Sequence, residues 1–276
     1  MAGSGPCLAK SRDPPNDCRD RGPAALARSR RLSELADLVI GAAAAALGDR
    51  PGDDRPLIVA TSGGADSASA LWACAQIADV TALHVDHGWP YSQVLAGAAD
   101  AVAGQVGVPL IEEQIEVGPS ESSARSGRYR VFERHVGDGL IVTGHTADDL
   151  AETVLANLAR GAGLHGQQGI PFERPGVIRP FLAIRRDQLR ELAALLGLRA
   201  IDDRANFDPS YTGVRLRSML RGWEEAAGRE IVPAIARGAR LAAEESKFVD
   251  ERSLSIEVRT DGSVVAIDIP RLVTAP

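Results

Sequence analysis

Apolar runs and helix-like patterns alternate along the middle of the chain. Residues 55–61, RPLIVAT, form an apolar run of strand length, and the next stretch, DSASALWACAQIA, has the apolar spacing of a helix. The same pair of patterns recurs further along and ends with GLIVTGH followed by TADDLAETVLANLARG. This alternation predicts right-handed strand–helix–strand units, and therefore an α/β fold with a Rossmann-like parallel sheet that carries helices on both faces.

The same patterning divides the chain into three parts. Residues 1–29 are rich in Pro, Gly, Asp and Arg with little periodicity, which predicts a disordered N-terminal extension. Residues 30–205 carry the strand–helix alternation and are expected to form the main α/β domain, in which the chemistry-bearing motifs described below lie. Residues 206–276 predict a mainly helical region with a short β-hairpin that turns at Asp261-Gly262. The final PRLVTAP is typical of the start of another element, so this region is either a short form or a truncation.

Composition indicates a protein without a membrane span. Of the 276 residues 45% are hydrophobic and 25% are charged, and no apolar run reaches the roughly 18 residues that a bilayer requires. The start lacks the apolar core of a signal peptide, and we expect a cytoplasmic protein. Three cysteines without a CxxC pair argue against a disulfide framework, a zinc site or an iron–sulfur site.

Charge is unevenly distributed along a chain whose net charge is −6. Residues 55–178 are acidic, whereas residues 179–240 hold twelve arginines and eight acidic residues. On charge alone, a solvated helical face is the simpler explanation of the arginine-rich segment. Lysine is almost absent from the whole chain, so arginine serves as its general basic residue. The functional alternative is contact with phosphate or nucleic acid.

The loop after the first strand, Ser62–Ser67, has the features of an anion site. Its glycines allow close backbone approach, and the following helix N-terminus adds partial positive charge. Asp66 would repel a phosphate unless a cation lies between them, which suggests a bridging Mg²⁺. The alternative is a tight turn in which Asp66 only caps the helix, and Ser67 or Ser69 could also cap it. A Walker lysine and a GxGxxG motif are both absent.

Polar clusters follow the second and fourth strands as well, at the edge where parallel sheets bind ligands. HVDHG, His84–Gly88, ends the second strand. His145 ends the fourth, and Asp148, Asp149 and Glu152 occupy the first turns of the next helix. Asp148 and Glu152 are four residues apart, so they share a helix face and could hold a cation or an amine. Alternatively, these acids only complement the helix dipole.

Two arginines of the third helix add a cationic face. Arg125 and Arg128 are three residues apart, with Tyr129 beside them. Two guanidinium groups on one face suit phosphate. The alternative is a solvated face against which Tyr129 packs.

The phosphate-loop motif is similar to that of a known superfamily. Ser-Gly-Gly-x-Asp-Ser after the first strand resembles the PP-loop of the N-type ATP pyrophosphatases, which split ATP between the α and β phosphates. Further motifs of the tRNA(Ile)-lysidine synthetase family follow in order over about residues 55–220. They are HVDHG, AR-x-x-RY, GHTADD-x-AET, Arg-Gly-x-Gly-Leu at 160–164, Arg179-Pro180-Phe181-Leu182, Arg185 and Asp203-x-x-Asn206-x-Asp208.

The resemblance implies an ATP-dependent ligase. Such an enzyme adenylates C2 of the wobble cytidine in the CAU anticodon of tRNA(Ile), and the ε-amine of free L-lysine then displaces AMP. The product, lysidine, changes codon specificity from AUG to AUA. The implied cofactors are ATP and Mg²⁺, the implied partners are tRNA(Ile) and free L-lysine, and a homodimer is a further expectation.

The resemblance also implies roles for individual residues. ATP would be bound by Ser62, Gly63, Gly64, Ala65, Asp66, Ser67, His84, Asp86 and His145. The catalytic residues would be Asp66, Asp148, Asp149 and Glu152, with Asp66 also holding the metal. Phosphate or tRNA would be contacted by Arg125, Arg128, Arg179, Arg185, Arg215 and Arg217.

Departures from the family pattern leave alternatives open. Trp89-Pro90 stands where Leu-Arg is usual, Leu150 replaces Gln, Gly166-Gln167 replaces Gly-Leu, and Gly213 replaces Arg. A degenerate, non-catalytic RNA- or nucleotide-binding module is one alternative. A PP-loop tRNA thiolase is another, although the CxxC pairs of that class are missing, and a small-molecule amidotransferase would not explain AR-x-x-RY and GHTADD.

Overall fold

The computed structural model describes residues 23–48, 56–118, 120–137, 139–253, 258–261 and 264–267. Residues 1–22 of the predicted disordered extension lie outside these ranges. Helix α1 runs from Pro23 to Gly48, so the expectation of disorder for residues 23–29 is wrong. Proline is tolerated in the first turn of a helix, and the alanines and leucine that follow it are strong helix formers.

A six-stranded sheet forms the centre of the fold, in the order β3-β2-β1-β4-β6-β5. All its pairs are parallel except β5 with β6, which confirms the predicted α/β sheet. The strands are β1 (Leu57–Ala60), β2 (Val80–Asp86), β3 (Leu110–Gln114), β4 (Leu140–Thr143), β5 (Glu173–Arg174) and β6 (Val177–Ile178). Because chain order reverses at β1, the carboxyl ends of β1 and β4 open a crevice between them, where such sheets bind ligands.

Helices connect the strands and extend beyond them. The connecting helices are α2 (Ala65–Ala75), α3 (Ser92–Val106), α4 (Glu121–Val136), α5 (Ala147–Ala159) and the short α6 (Leu164–Gln167). After the sheet come α7 (Arg186–Leu196), a 3₁₀ turn (Arg204–Phe207), α8 (Thr212–Ala227) and α9 (Val232–Ser253). The predicted hairpin is confirmed by antiparallel pairing of β7 (Val258–Asp261) with β8 (Val264–Ile267).

Alternation along β1 supplies a core on each side of the sheet. Leu57 and Val59 join the larger cluster under α1, α2, α3 and α7, whereas Ile58 joins the cluster under α4 with Phe132. Burial of each such side chain contributes about 1.5–3 kcal/mol. Helices α8 and α9 pack against α5 through two further clusters that include Leu150 and Leu220. The boundary predicted at 205–206 stays a prediction. Among the described helices, none is long and apolar enough to cross a membrane.

Candidate active site

A cavity of about 1030 Å³ opens at the carboxyl ends of β1, β2 and β4. Its volume exceeds what one small ligand needs, so it has room for a nucleotide beside a second reactant. Eleven of the predicted site residues line it: Ser62, Gly64, Ala65, Asp66, Ser67, His84, Arg128, His145, Asp149, Glu152 and Arg217. The others, which are Gly63, Asp86, Arg125, Asp148, Arg179, Arg185 and Arg215, lie outside the lining.

The phosphate loop, Ser62–Ser67, is closed by its own hydrogen bonds. The Ser62 N–H donates to Ser67 Oγ (3.0 Å), and the Ser67 hydroxyl donates to the Gly64 carbonyl (2.9 Å). Helix α2 has Gly64 at its N-cap without a side-chain cap, so the alternative in which Asp66, Ser67 or Ser69 caps the helix is not observed. The Ser69 hydroxyl donates instead to the Leu189 carbonyl, at 2.7 Å. An uncapped first turn leaves N–H groups available for an anion at this end of α2.

Gly63 is required by the shape of this loop. Its φ is +87°, and an added Cβ would lie 2.4 Å from the Leu95 carbonyl oxygen of α3. Its own carbonyl accepts a hydrogen bond from the Ile201 N–H, at 3.0 Å. Gly63 therefore supports the loop from behind and does not line the cavity.

Asp66 has a carboxylate oxygen without a hydrogen-bond partner. Among the described groups, Oδ1 is buried and unpartnered, and the nearest cations are Arg186 Nε, 3.5 Å from Oδ2, and Arg190 Nε, 3.7 Å from Oδ1. Burial raises the pKa of Asp66 to about 6, although the two arginines oppose it. An added cation would be well accommodated by such an oxygen.

The residues present fit Mg²⁺ held mainly by phosphate. In the described part of the chain, no group of three or more His, Cys, Asp or Glu side chains could hold a metal by itself. Mg²⁺ commonly uses one or two carboxylates together with substrate phosphates. Asp66 Oδ1, next to the phosphate loop, meets that requirement.

At the end of β2, His84 faces the cavity with one free nitrogen. Its Nδ1 lies 2.9 Å from the Thr61 carbonyl, which can only accept, so Nδ1 carries the proton. Its Nε2 is buried and has no partner among the described groups, which leaves a lone pair for a ligand N–H or O–H when the ring is neutral. Asp86 lies outside the cavity lining and accepts from the Gly88 N–H at 2.7 Å, so its contact with ATP stays a prediction.

At the end of β4, the turn into α5 combines a cap with a buried imidazole. Thr146 caps α5, and the Asp149 carboxylate reciprocally accepts from the Thr146 N–H at 2.7 Å. His145 Nδ1 lies 2.7 Å from Thr143 Oγ1, and burial lowers the pKa of His145 to about 4. Gly144 passes so close to α2 that an added Cβ would lie 3.1 Å from the Asp66 carbonyl oxygen. The turn that follows β4 therefore contacts the start of the helix that follows β1.

The three acids of α5 do not act as one group. Asp149 and Glu152 line the cavity, whereas Asp148 accepts from the Arg186 N–H at 2.8 Å and pairs with Arg185 Nε at 3.2 Å. The structure thus places Asp148 and Glu152 in different surroundings, and the prediction that they bind a ligand as a pair stays untested. Asp148 instead anchors the start of α7.

Arg186 is the residue that sequence reasoning missed. Its Nη2 bonds to Asp149 Oδ1, its Nη1 lies 2.8 Å from Glu152 Oε1, and its Nε faces Asp66. Burial alone would lower the pKa of Arg186, but Asp149, Glu152 and Asp66 raise it far above its usual value. One signal was available, because positions 186, 189 and 193 share the buried face of α7.

The arginines predicted to contact phosphate or tRNA separate into distinct groups. Arg179 is fully buried, and it donates to the Pro171 carbonyl (2.7 Å) and to the Tyr129 hydroxyl (2.8 Å). Arg185 pairs with Asp148, Glu224 and Glu230. Arg215 donates to the Pro209 and Ser210 carbonyls. The complete burial of Arg179 leaves it no surface for a phosphate, whereas the predicted phosphate roles of Arg185 and Arg215 stay predictions. Arg128 and Arg217 remain on the cavity wall.

Further residues line the cavity that the predicted set did not include. They are His87, Trp89, Arg190, Asp202, Asp203, Asn206, Asp208 and Gly213, among others. The Asp-x-x-Asn-x-Asp motif was visible in the sequence, but its side chains were given no role. Trp89 lies 5.6 Å from His87, ring centre to ring centre. Burial, followed by Arg128 and His84, lowers the pKa of His87, so its ring is neutral near pH 7.

Comparison with known proteins first defines the class. A family model described as a PP-loop domain matches residues 40–222. A solved structure, the U34-tRNA thiolase NcsA from Methanococcus maripaludis with its [4Fe-4S] cluster, aligns with a TM-score of 0.65 at 17% identity. The alignment covers 78% of this chain and 80% of that chain, and at this identity it shows the fold alone.

Curated relatives then define the family. A tRNA(Ile)-lysidine synthase from Leifsonia xyli subsp. xyli is 36% identical over 85% of this chain and 80% of its own length. One from Rhodococcus erythropolis is 38% identical over 80% of this chain and 70% of its own length. The alignment with the Salinispora tropica relative, 36% identical, spans 73% of this chain and 66% of that protein. The chain belongs to the tRNA(Ile)-lysidine synthase family, as its motifs predicted.

Proposed function

We propose that the chain is an ATP-dependent ligase that adenylates C2 of the wobble cytidine in the CAU anticodon of tRNA(Ile) and then replaces AMP with the ε-amine of lysine. The observation that carries the proposal is the joining of two half-sites in one cavity. The phosphate loop and Asp66 form one half, and Asp149 and Glu152 form the other. Arg186 contacts acids of both halves.

In the nucleotide half, the protein supplies N–H groups and hydroxyls for the triphosphate. The uncapped start of α2 would bind pyrophosphate as it forms, with Ser62 and Ser67 beside it. Asp66 would hold Mg²⁺, which when bound neutralises phosphate charge. His84 Nε2, an unpartnered acceptor on the cavity wall, would accept a hydrogen bond from the base or ribose. The neutral His145 ring adds no positive charge at the junction of the half-sites.

In the amine half, two carboxylates would receive the ε-amine of lysine, whose free pKa is about 10.4. Burial alone would raise the pKa of Asp149, but Arg186 and the hydrogen bonds from Thr146 lower it, so Asp149 stays ionised and attracts an ammonium. Glu152, held by Arg186 and Arg217, is the other carboxylate on this wall, and one of these two acids is assigned as the proton acceptor. The neutral amine then attacks C2, and the C2 oxygen leaves with AMP.

A sulfur-transfer reaction is not favoured. Cys74, the cysteine within the described ranges, is buried, and burial raises the pKa of its thiol to about 12. Such a thiol is not a nucleophile near neutral pH. The structural neighbour named a thiolase therefore shares the fold with this chain, but the described residues include no reactive thiol for sulfur transfer. A homodimer and a cytoplasmic location remain part of the proposal.

One assay tests the proposed reaction. The protein is incubated with ATP, labelled lysine and tRNA(Ile) bearing CAU, with the same tRNA bearing another anticodon as the control. Label in the CAU tRNA alone supports the proposal. ATP–pyrophosphate exchange without label indicates another ligase, and neither signal indicates a binding module. If Asp149→Asn and Glu152→Gln each retained lysine-dependent turnover, the roles of these two acids would be wrong.

A further inference from the structure

Tyr129 of α4 is surrounded by arginines. The Arg125 Cζ lies 5.4 Å from the centre of the Tyr129 ring, and the Arg174 Cζ of β5 lies 4.9 Å from it. Both distances are within the range of cation–π contacts. From the buried side, Arg179 donates from Nη2 to the Tyr129 hydroxyl at 2.8 Å. One aromatic ring therefore positions two exposed guanidinium groups, and a third, buried one fixes the ring.

Within the part of the chain that the structure describes, carboxylates do not balance the charges of Arg125 and Arg174. Among the side chains that the structure describes, no ion pair is shown for Arg125 or Arg174, whereas Arg134 on the same helix pairs with Glu113 at 2.9 Å. Burial lowers the pKa of Arg179, and the neighbouring Arg174 and Arg125 lower it further. Burial alone would raise the pKa of Tyr129, but the three arginines lower it. Guanidinium groups this close repel one another, and a bound anion would relieve that repulsion.

The position of the cluster indicates which anion would fit. Arg128 and Tyr129 line the cavity, whereas Arg125 and Arg174 are exposed and lie beyond its lining. Another part of the cavity wall carries Asp149, Glu152, Asp202, Asp203 and Asp208, which repel phosphate. A polyanion that places one unit in the cavity would therefore pass the Tyr129 side.

We propose that Arg125 and Arg174, held over Tyr129, form a binding site for a backbone phosphate of the RNA, outside the cavity and next to the nucleotide that is modified. We call these two residues with Tyr129 the arginine clamp. A stacked guanidinium keeps its N–H edge free for bidentate binding of a phosphate. Arg179 is the positioning residue beneath the ring. This inference rests on the proposed function, because that function places an RNA nucleotide in the cavity.

The test compares single and double glutamine variants of the clamp in equilibrium binding of tRNA(Ile) across a salt series. Arg125→Gln and Arg174→Gln should each weaken tRNA binding by about tenfold and reduce the salt slope by about 1. Arg174→Lys keeps the charge but loses the bidentate guanidinium edge, so its affinity for tRNA should lie between those of the wild type and Arg174→Gln. Arg134→Gln, on the same helix but paired with Glu113, is the matched control and should leave both quantities unchanged.

A second measurement distinguishes a backbone phosphate of RNA from a phosphate of ATP as the ligand of the clamp. Binding of a non-hydrolysable ATP analogue should be the same in the clamp variants and the wild type, and a loss there would overturn the assignment to RNA. Unchanged tRNA affinity and unchanged salt slope in the double variant would also overturn it. The wild-type protein could bind tRNA with a salt slope that the variants reduce and yet form no lysidine. That result would support the arginine clamp and contradict the proposed reaction. Thermal unfolding of each variant checks that the fold is retained.

Discussion

Arginines on two sides of the cavity are used in opposite ways. On the acidic wall, Arg186 and Arg217 are held against Asp66, Asp149 and Glu152, so most of their charge is neutralised within the protein. On the basic wall, which is the arginine clamp, the exposed guanidinium groups of Arg125 and Arg174 rest on an aromatic ring. The same residue type thus organises carboxylates in one place and remains available as a cation in the other.

The difference shows that the partner of a charged side chain, more than its identity, determines what it can bind. A guanidinium that already makes buried ion pairs has no edge left for phosphate, and its removal leaves buried carboxylates uncompensated. A guanidinium on an aromatic face has no ion pair to break when it binds a phosphate. Substitutions on the acidic wall should therefore affect folding and the lysine step, whereas those on the basic wall should affect RNA binding.

The largest effect is expected for Arg186→Met. The substitution leaves three carboxylates without their shared cation and should lower the free energy of unfolding by about 3–5 kcal/mol. Arg190→Met is the control, because Arg190 is 35% exposed and its carboxylate contacts are 3.3 and 3.7 Å, so its loss should cost about 0–1 kcal/mol. Urea unfolding of both variants measures the difference. Equal losses would show that Arg186 is not the centre of the acidic wall.

Asp149→Asn and Asp148→Asn separate the two neighbouring acids. A carboxylate–ammonium contact contributes about 1.5–3 kcal/mol, so Asp149→Asn should raise the KM for lysine by about 10- to 100-fold. Asp148 faces Arg185 outside the cavity, so Asp148→Asn should leave that KM within about twofold and affect only stability. Steady-state kinetics with varied lysine give both values. A larger KM effect at Asp148 would contradict the separation.

Tyr129→Phe tests how the hydrogen bond between Arg179 and the Tyr129 hydroxyl supports the basic wall. It removes the hydroxyl that accepts from Arg179 and leaves a buried donor unpaired, which should cost about 1–3 kcal/mol in unfolding free energy. The ring remains, so the cation–π contacts with Arg125 and Arg174 are retained. Affinity for tRNA should therefore fall less than in Arg174→Gln. The reverse order would indicate that the hydroxyl itself contacts RNA.

Asp66→Asn should have the smallest effect on stability, and one that depends on pH. The folded-state pKa of Asp66, about 6, lies above its ordinary value of 3.8, so its contribution to stability is complete below pH 3.8 and is lost as pH rises through about 6. The variant cannot ionise and should unfold a few degrees higher than wild type at pH 8, with little difference at pH 4; each kcal/mol corresponds to about 2–4 °C. Activity should nevertheless be lost. A stability gain at pH 4 alone would contradict this account.

The fold was predictable from the sequence because β1, β2 and β4 are short and mostly apolar runs, and helix-patterned stretches separate the strands. The ligand edge followed from topology, which brings the carboxyl ends of β1, β2 and β4 together. Position along the chain could not show which way a side chain turns. Asp148 and Asp149 are adjacent, yet one anchors α7 and the other lines the cavity, because successive helical positions differ by about 100°.

Arginines were the least predictable part of the candidate site. Arg185 and Arg186 are neighbours in one motif, and only the packing of α7 on the sheet determines that Arg186 is the one that turns inward. Arg179 follows a buried strand and is itself fully buried, a rare fate for arginine that composition gives no reason to expect. Tyr129 was noticed, but its contact with Arg174 joins residues far apart in the chain and required the structure.

The loop around Gly63 has a consequence for the entropy of binding. Its backbone is already fixed by the Leu95 contact behind it, by the hydrogen bond from Ile201, and by the hydroxyls of Ser62 and Ser67. The conformational freedom of this segment is therefore lost during folding, before any nucleotide arrives. A phosphate that enters meets donors that need no rearrangement, so more of its interaction energy remains as affinity.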